Sequence, residues 1–363
     1  MVSRLTRPSG CALLGSVMAA MLCAQAQGDV TIEERLSVNG GAGLANIMNM
    51  SGRTVTYIAG DKARTDSELR FESALMRAFA RGAGDTTTEI VRFDQDKVLT
   101  LDHRRKTYSE TTFAEQRARL HEAMEKMEQD QASQQAASGV DESECEWSEP
   151  TVSLERTGAK DQIAGYEAER VAIIATQSCK NRKTGEVCDF GLVLEQWVAP
   201  GFEAAKEVEA YYAAYAEKMG LDTSASRQFA ERAQSLFGRY QGIWSEVAAK
   251  MREIDGHAVR SGFALGIGGP QCSSMHQAQQ TESADSPMSI GGALGGALGG
   301  ALGGMLGKKK KEPEPAAPAA PAPTLPGGLM PMMTLSSELV SVSAAAVDPA
   351  KFEVPAGYKK AGP

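Results

Sequence analysis

The sequence predicts an α+β fold in which amphipathic helices are inserted into an antiparallel β-meander. Alternating apolar and polar residues form short segments, and turn residues separate these segments every eight to ten positions up to about residue 110. Three other segments repeat their apolar residues at intervals of three and four, the period of a helix. Together the two patterns favour a sheet-rich chain with a few helices.

The first part of the chain contains closely spaced predicted strands. Turns are predicted at Gly60-Asp61, at Asp94–Lys97 and at His103–Arg105, because these positions combine glycine, aspartate and basic residues between apolar runs. The strands themselves are Val30–Val38, Arg53–Ala59, Lys62–Glu68, Glu89–Phe93, Val98–Asp102 and Lys106–Glu110.

Helical spacing marks three segments. Leu69–Arg81 predicts a short helix that interrupts the sheet. Residues 112–135 begin with a capping box, Thr112-x-x-Glu115, and carry a thin apolar stripe, so they predict a largely solvated helix. Residues 203–253 carry two wider stripes and predict a helical insertion, whose apolar faces are typical of packing against a core.

Strands resume in the second half of the sequence. A turn at Gly158–Asp161 separates the first two of them. The predicted strands are Thr151–Thr157, Ile163–Gln177, Phe190–Val198, His257–Ile267 and Leu335–Val342.

The N-terminus predicts export. Arg4 and Arg7 precede the 13-residue apolar run Cys11–Cys23, and a small-x-small site follows at Ala24–Ala26. Residues 1–26 are therefore predicted to be a signal peptide, with cleavage after Ala26 and a periplasmic or secreted product. The alternative is a lipoprotein anchored through Cys23, but Leu22 stands where a small residue is expected.

The charge of the chain argues against a nucleic-acid partner. Without residues 1–26 it keeps 36 basic and 46 acidic residues, a net charge of −10. Such an acidic protein is repelled by phosphate backbones.

Four cysteines follow the predicted cleavage site: Cys145, Cys179, Cys188 and Cys272. An even number in an exported protein favours disulfides, and four cysteines allow three pairings. A local Cys179–Cys188 bridge is plausible across a hairpin loop, which would leave Cys145 to pair with Cys272. A zinc site is the alternative, but the sequence contains no CxxC pair.

Residues 268–333 are of low complexity and predict a disordered insertion. They contain the repeat GGALGGALGGALGGMLG, then KKKK, then a Pro/Ala tract. Met288–Gly307 is long enough to span a bilayer, and its GxxxG spacing suits helix association. Nine glycines between 291 and 307 weaken a helix, so a loop is favoured over a self-associating zipper or a membrane span.

Few residues suggest catalysis or metal binding. His121 begins an HExxH-like stretch, but Glu125 stands where the second histidine is required. His103 lies in a turn and is interpreted as a solvated residue. The sequence therefore predicts a protein that is not an enzyme and needs no metal or cofactor.

Five short motifs follow one another along the chain: YIAGDKARTD, IVRFDQDKVLTLDHRRKTY, TGAKDQIAGYEAERVAI, LEQWVAP and FEVPAGYKK. This ordered set resembles an uncharacterised family of exported bacterial domains, which is similar in turn to the lipoprotein-localisation and lipid-carrier superfamily of LolA, LolB and LppX. The positions that the resemblance singles out are Gly60, Asp61, Lys62, Arg64, Asp66, Asp102, Lys106, Tyr108, Gly165, Tyr166, Trp197, Phe352, Pro355, Gly357 and Tyr358.

The resemblance implies a curved, half-open antiparallel sheet with helices on its concave face. Residues 27–267 and 334–363 would then form a single domain, in which Leu335–Val342 pairs with His257–Ile267 across the 268–333 insertion. The helical insertion at 203–253 and the 268–333 segment depart from the family pattern.

Two functions are compatible with such a domain. The first is to bind a lipid, an acyl chain or a lipidated partner against the sheet, with Tyr57, Trp197 and Phe263 as candidate lining residues. The second is a structural or interaction role in the cell envelope, with a filled core and the glycine–lysine segment as the contact. The cluster of Asp61, Lys62, Arg64 and Asp66 is interpreted as a solvated strand edge, with recognition of an anionic head group as the alternative.

Overall fold

The computed structural model describes residues 28–40, 49–73, 86–138, 145–220, 241–269 and 321–361. The strands in these ranges join one open sheet, ordered β13-β6-β5-β4-β3-β2-β1-β12-β11-β10-β9-β7, and β8 also pairs with β9. All pairs are antiparallel except that of β13 with β6, so the sheet is mixed.

The strands have the following bounds: β1 Val30–Gly40, β2 Met50–Ala59, β3 Lys62–Phe71, β4 Thr86–Arg92, β5 Lys97–Asp102, β6 Thr107–Thr112, β7 Cys145–Trp147, β8 Thr151–Ile163, β9 Tyr166–Asn181, β10 Val187–Ala199, β11 His257–Gly268, β12 Met330–Ser343 and β13 Lys359–Lys360. The helices are α1 Phe113–Ser138, α2 Ala205–Lys218 and α3 Gln241–Met251.

The predicted meander is confirmed from β1 to β6, where each strand pairs with the next. The predicted pairing of the two distant strands is also confirmed, with Phe263 of β11 opposite Leu335 of β12. On its other side β12 pairs with β1. A strand near the C-terminus therefore joins the two halves of the sheet.

The sheet has two distinct faces. On the helix face, Val208 and Tyr211 of α2 pack against residues from β1 to β5, and Ile243 and Val247 of α3 pack against residues of β9 and β10. The opposite face is crossed by the C-terminal segment 347–361, which we call the strap, and we call this side the strap face. Because directly paired residues point to the same side, the register assigns each strand residue to one face.

The capping box predicted at the start of α1 is formed. The backbone N–H of Thr112 donates to the Glu115 carboxylate at 2.7 Å, and the backbone N–H of Glu115 donates to the Thr112 hydroxyl at 3.1 Å. These contacts satisfy donors that a helix start otherwise leaves unpaired.

Two local predictions are wrong. The helix expected from Leu69 does not begin there, because β3 continues to Phe71 in register with β2; residues 74–81 lie outside the described residues. The turn expected at Gly158–Asp161 falls inside β8, which only shifts its register there. The chain instead turns at Ala164 and Gly165, whose φ angles of 50° and 89° suit a two-residue hairpin.

The predicted boundary of the 268–333 insertion is also wrong. Residues 270–320 lie outside the described residues, but Pro321–Leu329 is packed on the strap face and β12 already begins at Met330. Pro323, Leu325 and Leu329 occupy the space that a side chain would fill at four glycines of the sheet. These glycines are Gly262, Gly266 and Gly268 of β11 and Gly191 of β10. Glycines in two strands thus leave space for a segment that composition alone marks as disordered.

Several predictions fall on residues outside the described ranges, including the signal peptide at 1–26, Cys272 and the glycine repeat. Within the described ranges, no helix combines the length and apolarity needed to cross a membrane.

Candidate functional site

The strap is anchored to the sheet along its whole length. Phe352 is 2% exposed and packs in a cluster with buried residues of β4 and β5. At one end the backbone N–H of Val347 donates to Asp29 at 2.7 Å, and at the other Lys359–Lys360 pairs with β6. The strap is therefore an integral part of the fold.

A chain of hydrogen bonds joins the strap to the sheet. Nε of Arg64 lies 2.8 Å from Oδ1 of Asp66, and the Thr88 hydroxyl lies 2.5 Å from the same oxygen. Oγ1 of Thr88 lies 2.7 Å from Nε2 of His103, and Nδ1 of His103 lies 2.6 Å from the Tyr358 hydroxyl. Because Thr88 is fully buried, this network lies inside the fold.

The chemistry of the groups gives the network a direction. An ionised carboxylate only accepts hydrogen bonds, so the single hydroxyl proton of Thr88 points to Asp66. The Thr88 oxygen then accepts from His103, which must carry a proton on Nε2. In the neutral imidazole Nδ1 is unprotonated and accepts the proton of Tyr358. Donation therefore runs from Tyr358 through His103 and Thr88 to Asp66.

These contacts correct two interpretations made from the sequence. His103 is not a solvated turn residue, because both of its ring nitrogens are hydrogen-bonded. Arg64 and Asp66 are not a solvated edge, since their side chains are only 12% and 24% exposed, and Arg64 also donates to the backbone carbonyl of Lys351 at 3.1 Å. Both contacts tie this pair to the strap and its network.

A second ionic cluster holds the strap beside the first. The buried guanidinium of Arg92 lies 2.7 Å from Asp94 and 2.9 Å from Glu353. The hydrogen bond from Arg92 lowers the pKa of the Asp94 carboxyl. The ammonium group of Lys351 lies 4.5 Å from the centre of the Tyr57 ring.

Other motif positions have backbone roles. Gly60-Asp61 forms the β2–β3 turn, and the Asp61 carbonyl accepts from Phe93 N–H at 3.0 Å. The carbonyl of Lys106 accepts from Lys359 at 3.0 Å, that of Tyr108 accepts from Ala361 at 2.7 Å, and that of Pro355 accepts from Tyr358 at 3.3 Å. The remaining motif residues are placed as follows: Lys62 in β3, Asp102 at the β5–β6 turn, Gly165 in the β8–β9 hairpin, Tyr166 against Phe202, and Gly357 in the turn before β13.

The three predicted lining residues do not come together. Tyr57 packs with the strap cluster, Trp197 packs against the core below α2, and Phe263 packs against the core below α3. The Trp197 ring is instead covered by the guanidinium of Arg260, 5.3 Å from its centre. These residues therefore do not line a common pocket.

The disulfide pairing differs from the predicted local bridge. Cys145 is bonded to Cys179, with their Cα atoms 5.6 Å apart. Cys188 lies directly opposite Cys179 on β10 and is also disulfide-bonded. Cys179 lies on β9 between β7 and β10, so Cys145 and Cys188 both lie near it. The sequence did not predict β7, the strand that brings Cys145 within bonding distance.

A small cleft lies between α2 and the β2–β3 turn. Its volume is about 290 Å³, just below the usual range for small-molecule sites. Gly60, Asp61 and Ile58 form one wall, and the opposite wall is formed by residues of α2, among them Glu207 and Tyr211. The mixed lining and small size make it a poor container for a lipid chain.

A larger apolar feature crosses the helix face. One register row runs through eight strands and contains only apolar side chains. In order across the sheet the row is Phe71, Met50, Val38, Leu335, Phe263, Leu194, Ile173 and Leu154. A second row beside it pairs Met333 with Leu265 and Leu265 with Leu192.

Exposure changes across these rows. Ile173 is fully buried beneath α3, whereas Leu335 is 39% exposed and Met333 is 40% exposed. Met50, Val38 and Leu335 belong to none of the buried clusters formed by the described residues. We call Met50, Val38, Leu335 and Met333 the apolar strip.

A polar band adjoins the strip on the same face. It consists of Glu34, Thr54, Thr56, Thr65, Ser67 and Glu89. Burial raises the pKa of the Glu34 and Glu89 carboxyls. Neither glutamate has a hydrogen bond or ion pair with any described residue.

The band was not predicted from the sequence, although both strands carry a pattern that marks it. Glu34 lies on the same face of β1 as the apolar residues Val30, Ile32 and Leu36, because these positions are two residues apart. Glu89 lies on the same face of β4 as Val91 for the same reason. A carboxylate at an inward-facing position of a strand is the sequence feature that marks both.

Among the described residues, no group of three or more histidine, cysteine, aspartate or glutamate side chains is arranged to hold a metal ion.

Comparison with protein-family models finds no matching family, and comparison with curated proteins finds no relative. The resemblance to the lipid-carrier superfamily therefore stays a prediction.

Proposed function

We propose that this chain is an exported protein that binds the acyl chain of an amphiphile on the helix face of its sheet. The apolar strip is the observation that carries the proposal. Met50, Val38 and Leu335 lie side by side in register, Met333 lies two residues from Leu335 on the same strand, and Leu335 and Met333 keep about two fifths of their surface exposed. Exposed apolar surface arranged in this way is typical of a binding site.

The size of the row suits a single chain. From β3 to β10 the row crosses five strand spacings, about 24 Å at the usual distance between strands. One acyl chain fills about 15 Å, half of the roughly 30 Å hydrocarbon core of a bilayer. An extended chain is therefore shorter than the row, and it would lie over the exposed strip rather than beneath α3, where Ile173 is fully buried.

Two features of the sequence support the proposal. The leader predicted at residues 1–26 places the mature protein in the periplasm or outside the cell. The motif resemblance, carried by residues on β3, β6 and the strap, points to carriers of lipids or lipidated proteins. A lipid or the acyl chain of a lipidated protein is the corresponding ligand.

The test is a binding measurement on the detergent-free protein. A fluorescent amphiphile with an acyl chain of palmitoyl length and an uncharged head group is titrated as the probe into the wild type, Leu335→Glu and Met251→Glu. Met251 is 43% exposed at the end of α3, outside the strip, and serves as the matched control. Burial of a leucine side chain is worth about 2 kcal/mol, so Leu335→Glu should weaken binding by tenfold or more while Met251→Glu binds as the wild type does.

Two results would overturn the proposal. The first is a wild type that neither binds the probe nor carries lipid when its organic extract is examined by mass spectrometry. The second is equal binding by Leu335→Glu and the wild type, since the acyl chain would then bind away from the apolar strip.

A further inference from the structure

The polar band bears on what the proposed ligand carries at the end of its acyl chain. Glu34 lies four residues from Val38 on β1, so the band begins about 13 Å from the strip along the strand. An amphiphile whose chain covers the strip and continues along β1 past Leu36 would place its head group over the band.

Charge is distributed unequally between the two faces. At the helix-facing positions of β1–β6 and β10–β12, the described residues include no lysine or arginine. The arginines of these strands all lie on the strap face: Arg35, Arg53, Arg64, Arg70, Arg92 and Arg260.

The arginines of the strap face are largely paired with acidic residues there. Arg53 lies 2.9 Å from Glu33, and Arg260 lies 2.6 Å from Glu338. On the helix face, Arg156 of β8 donates to the backbone carbonyl of Glu253 at 2.8 Å, and Glu34 and Glu89 have no cationic partner among the described residues.

The two glutamates are separate acceptors. Glu34 is on β1 and Glu89 is on β4, three strand spacings or about 15 Å apart. Paired carboxylates that act together in hydrolysis lie closer, within about 10 Å. Hydroxyl groups fill the space between them, and those of Thr56 and Thr65 lie 3.3 Å apart.

From this arrangement we infer that the helix face selects amphiphiles with a cationic head group and rejects anionic ones; the inference rests on the proposed function. A bound cation would give one of the two carboxylates the partner that it lacks, and the neighbouring hydroxyls would accept hydrogen bonds from an amine. An anionic phosphate or carboxylate would meet two negative charges and no positive one. Burial raises the pKa of both carboxyls, which shows that their charge is poorly compensated.

The experiment compares single-chain amphiphiles that differ only in the head group. An alkylamine, an alkyl glucoside and an alkyl phosphate of equal chain length compete with the same uncharged fluorescent probe below their micelle concentrations. We expect the amine to bind at least tenfold more tightly than the phosphate, with the glucoside between them.

Two variants locate the preference. In Glu34→Gln/Glu89→Gln the ratio of amine to phosphate affinity should fall close to one. Glu68→Gln removes a similar charge from the exposed strap-face side of β3 and should keep the wild-type ratio. This control separates the band from the general attraction of a chain with a net charge of −8.

The outcomes separate the two proposals. Equal binding of all three amphiphiles, or an unchanged ratio in the double variant, would overturn the head-group inference and leave acyl-chain binding intact. Binding of none of them, together with an extract free of lipid, would overturn the proposed function and the inference with it.

Discussion

Nδ1 of His103 lies 2.6 Å from the hydroxyl oxygen of Tyr358, although 255 residues separate them in the sequence. This contact is the last link of the network that begins at Asp66 and Thr88, and it fixes the C-terminal strap to the β5–β6 turn. Because the strap supplies Phe352 to a buried cluster, the network and the cluster should hold the strap cooperatively.

The first prediction concerns this contact. Tyr358→Phe removes the hydroxyl that donates to His103 and should lower the free energy of unfolding by about 1 kcal/mol, the usual value for one hydrogen bond. Urea denaturation measures the change, and Tyr212→Phe on the exposed side of α2, 59% exposed, should have almost no effect. In combination with Thr88→Val the loss should be less than additive, because both changes interrupt one network. Strict additivity would show that Tyr358 and Thr88 act independently.

The second prediction concerns the disulfide. Replacing Cys145 and Cys179 by alanine opens a loop of 34 residues and should lower the free energy of unfolding by about 3–4 kcal/mol on the chain-entropy estimate.

The pairing itself can be mapped with trypsin, which cleaves between Cys179 and Cys188, at Lys180, Arg182 and Lys183. The peptide that ends at Arg156 should therefore be linked to the one that ends at Lys180. A peptide containing Cys179 linked to one containing Cys188 would contradict the structure.

The parts of the fold that the sequence predicted are local. The strands β1 to β6 alternate with period two and are separated by short turns, so each hairpin is specified within some twenty residues. The pairing of β11 with β12 spans a long insertion, and it was predicted because both segments alternate and the motif order placed them together.

The features that the sequence did not reveal depend on distant segments. The bridge between Cys145 and Cys179 requires β7, a strand of three residues at the sheet edge that is too short to show a pattern. The hydrogen bonding of His103 depends on Tyr358 in the strap. Tyr57, Trp197 and Phe263 were predicted to line a site because they are aromatic. An aromatic residue in the sequence does not show which helix or segment packs against it, and these three belong to three different clusters.

The third prediction tests the packing of 321–329 against the sheet. A methyl group added in Gly191→Ala would overlap Cδ1 of Leu329, so this change should cost about 1–3 kcal/mol. Leu329→Ala creates space at the same point, and the double variant should be more stable than the sum of the two single changes predicts, by about 1 kcal/mol. Gly201→Ala adds a methyl group where no atom lies within 4 Å and should be nearly neutral. Additive losses in thermal or urea unfolding would mean that Leu329 does not rest on Gly191.

The fourth prediction concerns the pH dependence of stability and follows from Glu89. Burial raises the pKa of this carboxyl in the folded protein above its ordinary value of 4.5, and Tyr211 and Tyr215 of α2 are the titratable groups that face it. Because the folded state binds the proton more tightly than the unfolded state, the ionised carboxylate destabilises the fold. This cost is fully present above the raised pKa of the folded state. It disappears as the pH falls below about 4.5, where both states are protonated.

Glu89→Gln should accordingly raise the midpoint of thermal unfolding at pH 7.5, and this gain should vanish towards pH 4. Glu68→Gln, on the exposed strap-face side of β3, controls for the loss of one negative charge and should show no such convergence. A Glu89→Gln variant that is less stable than the wild type at pH 7.5 would contradict this prediction, because it would mean that the ionised carboxylate has a stabilising partner.

In a preparation that retains a cationic amphiphile, the gain from Glu89→Gln should shrink or reverse, since the ligand then compensates the carboxylate in the folded state. Measuring the same variant before and after organic extraction of the ligand therefore connects the stability of the sheet to occupation of its helix face.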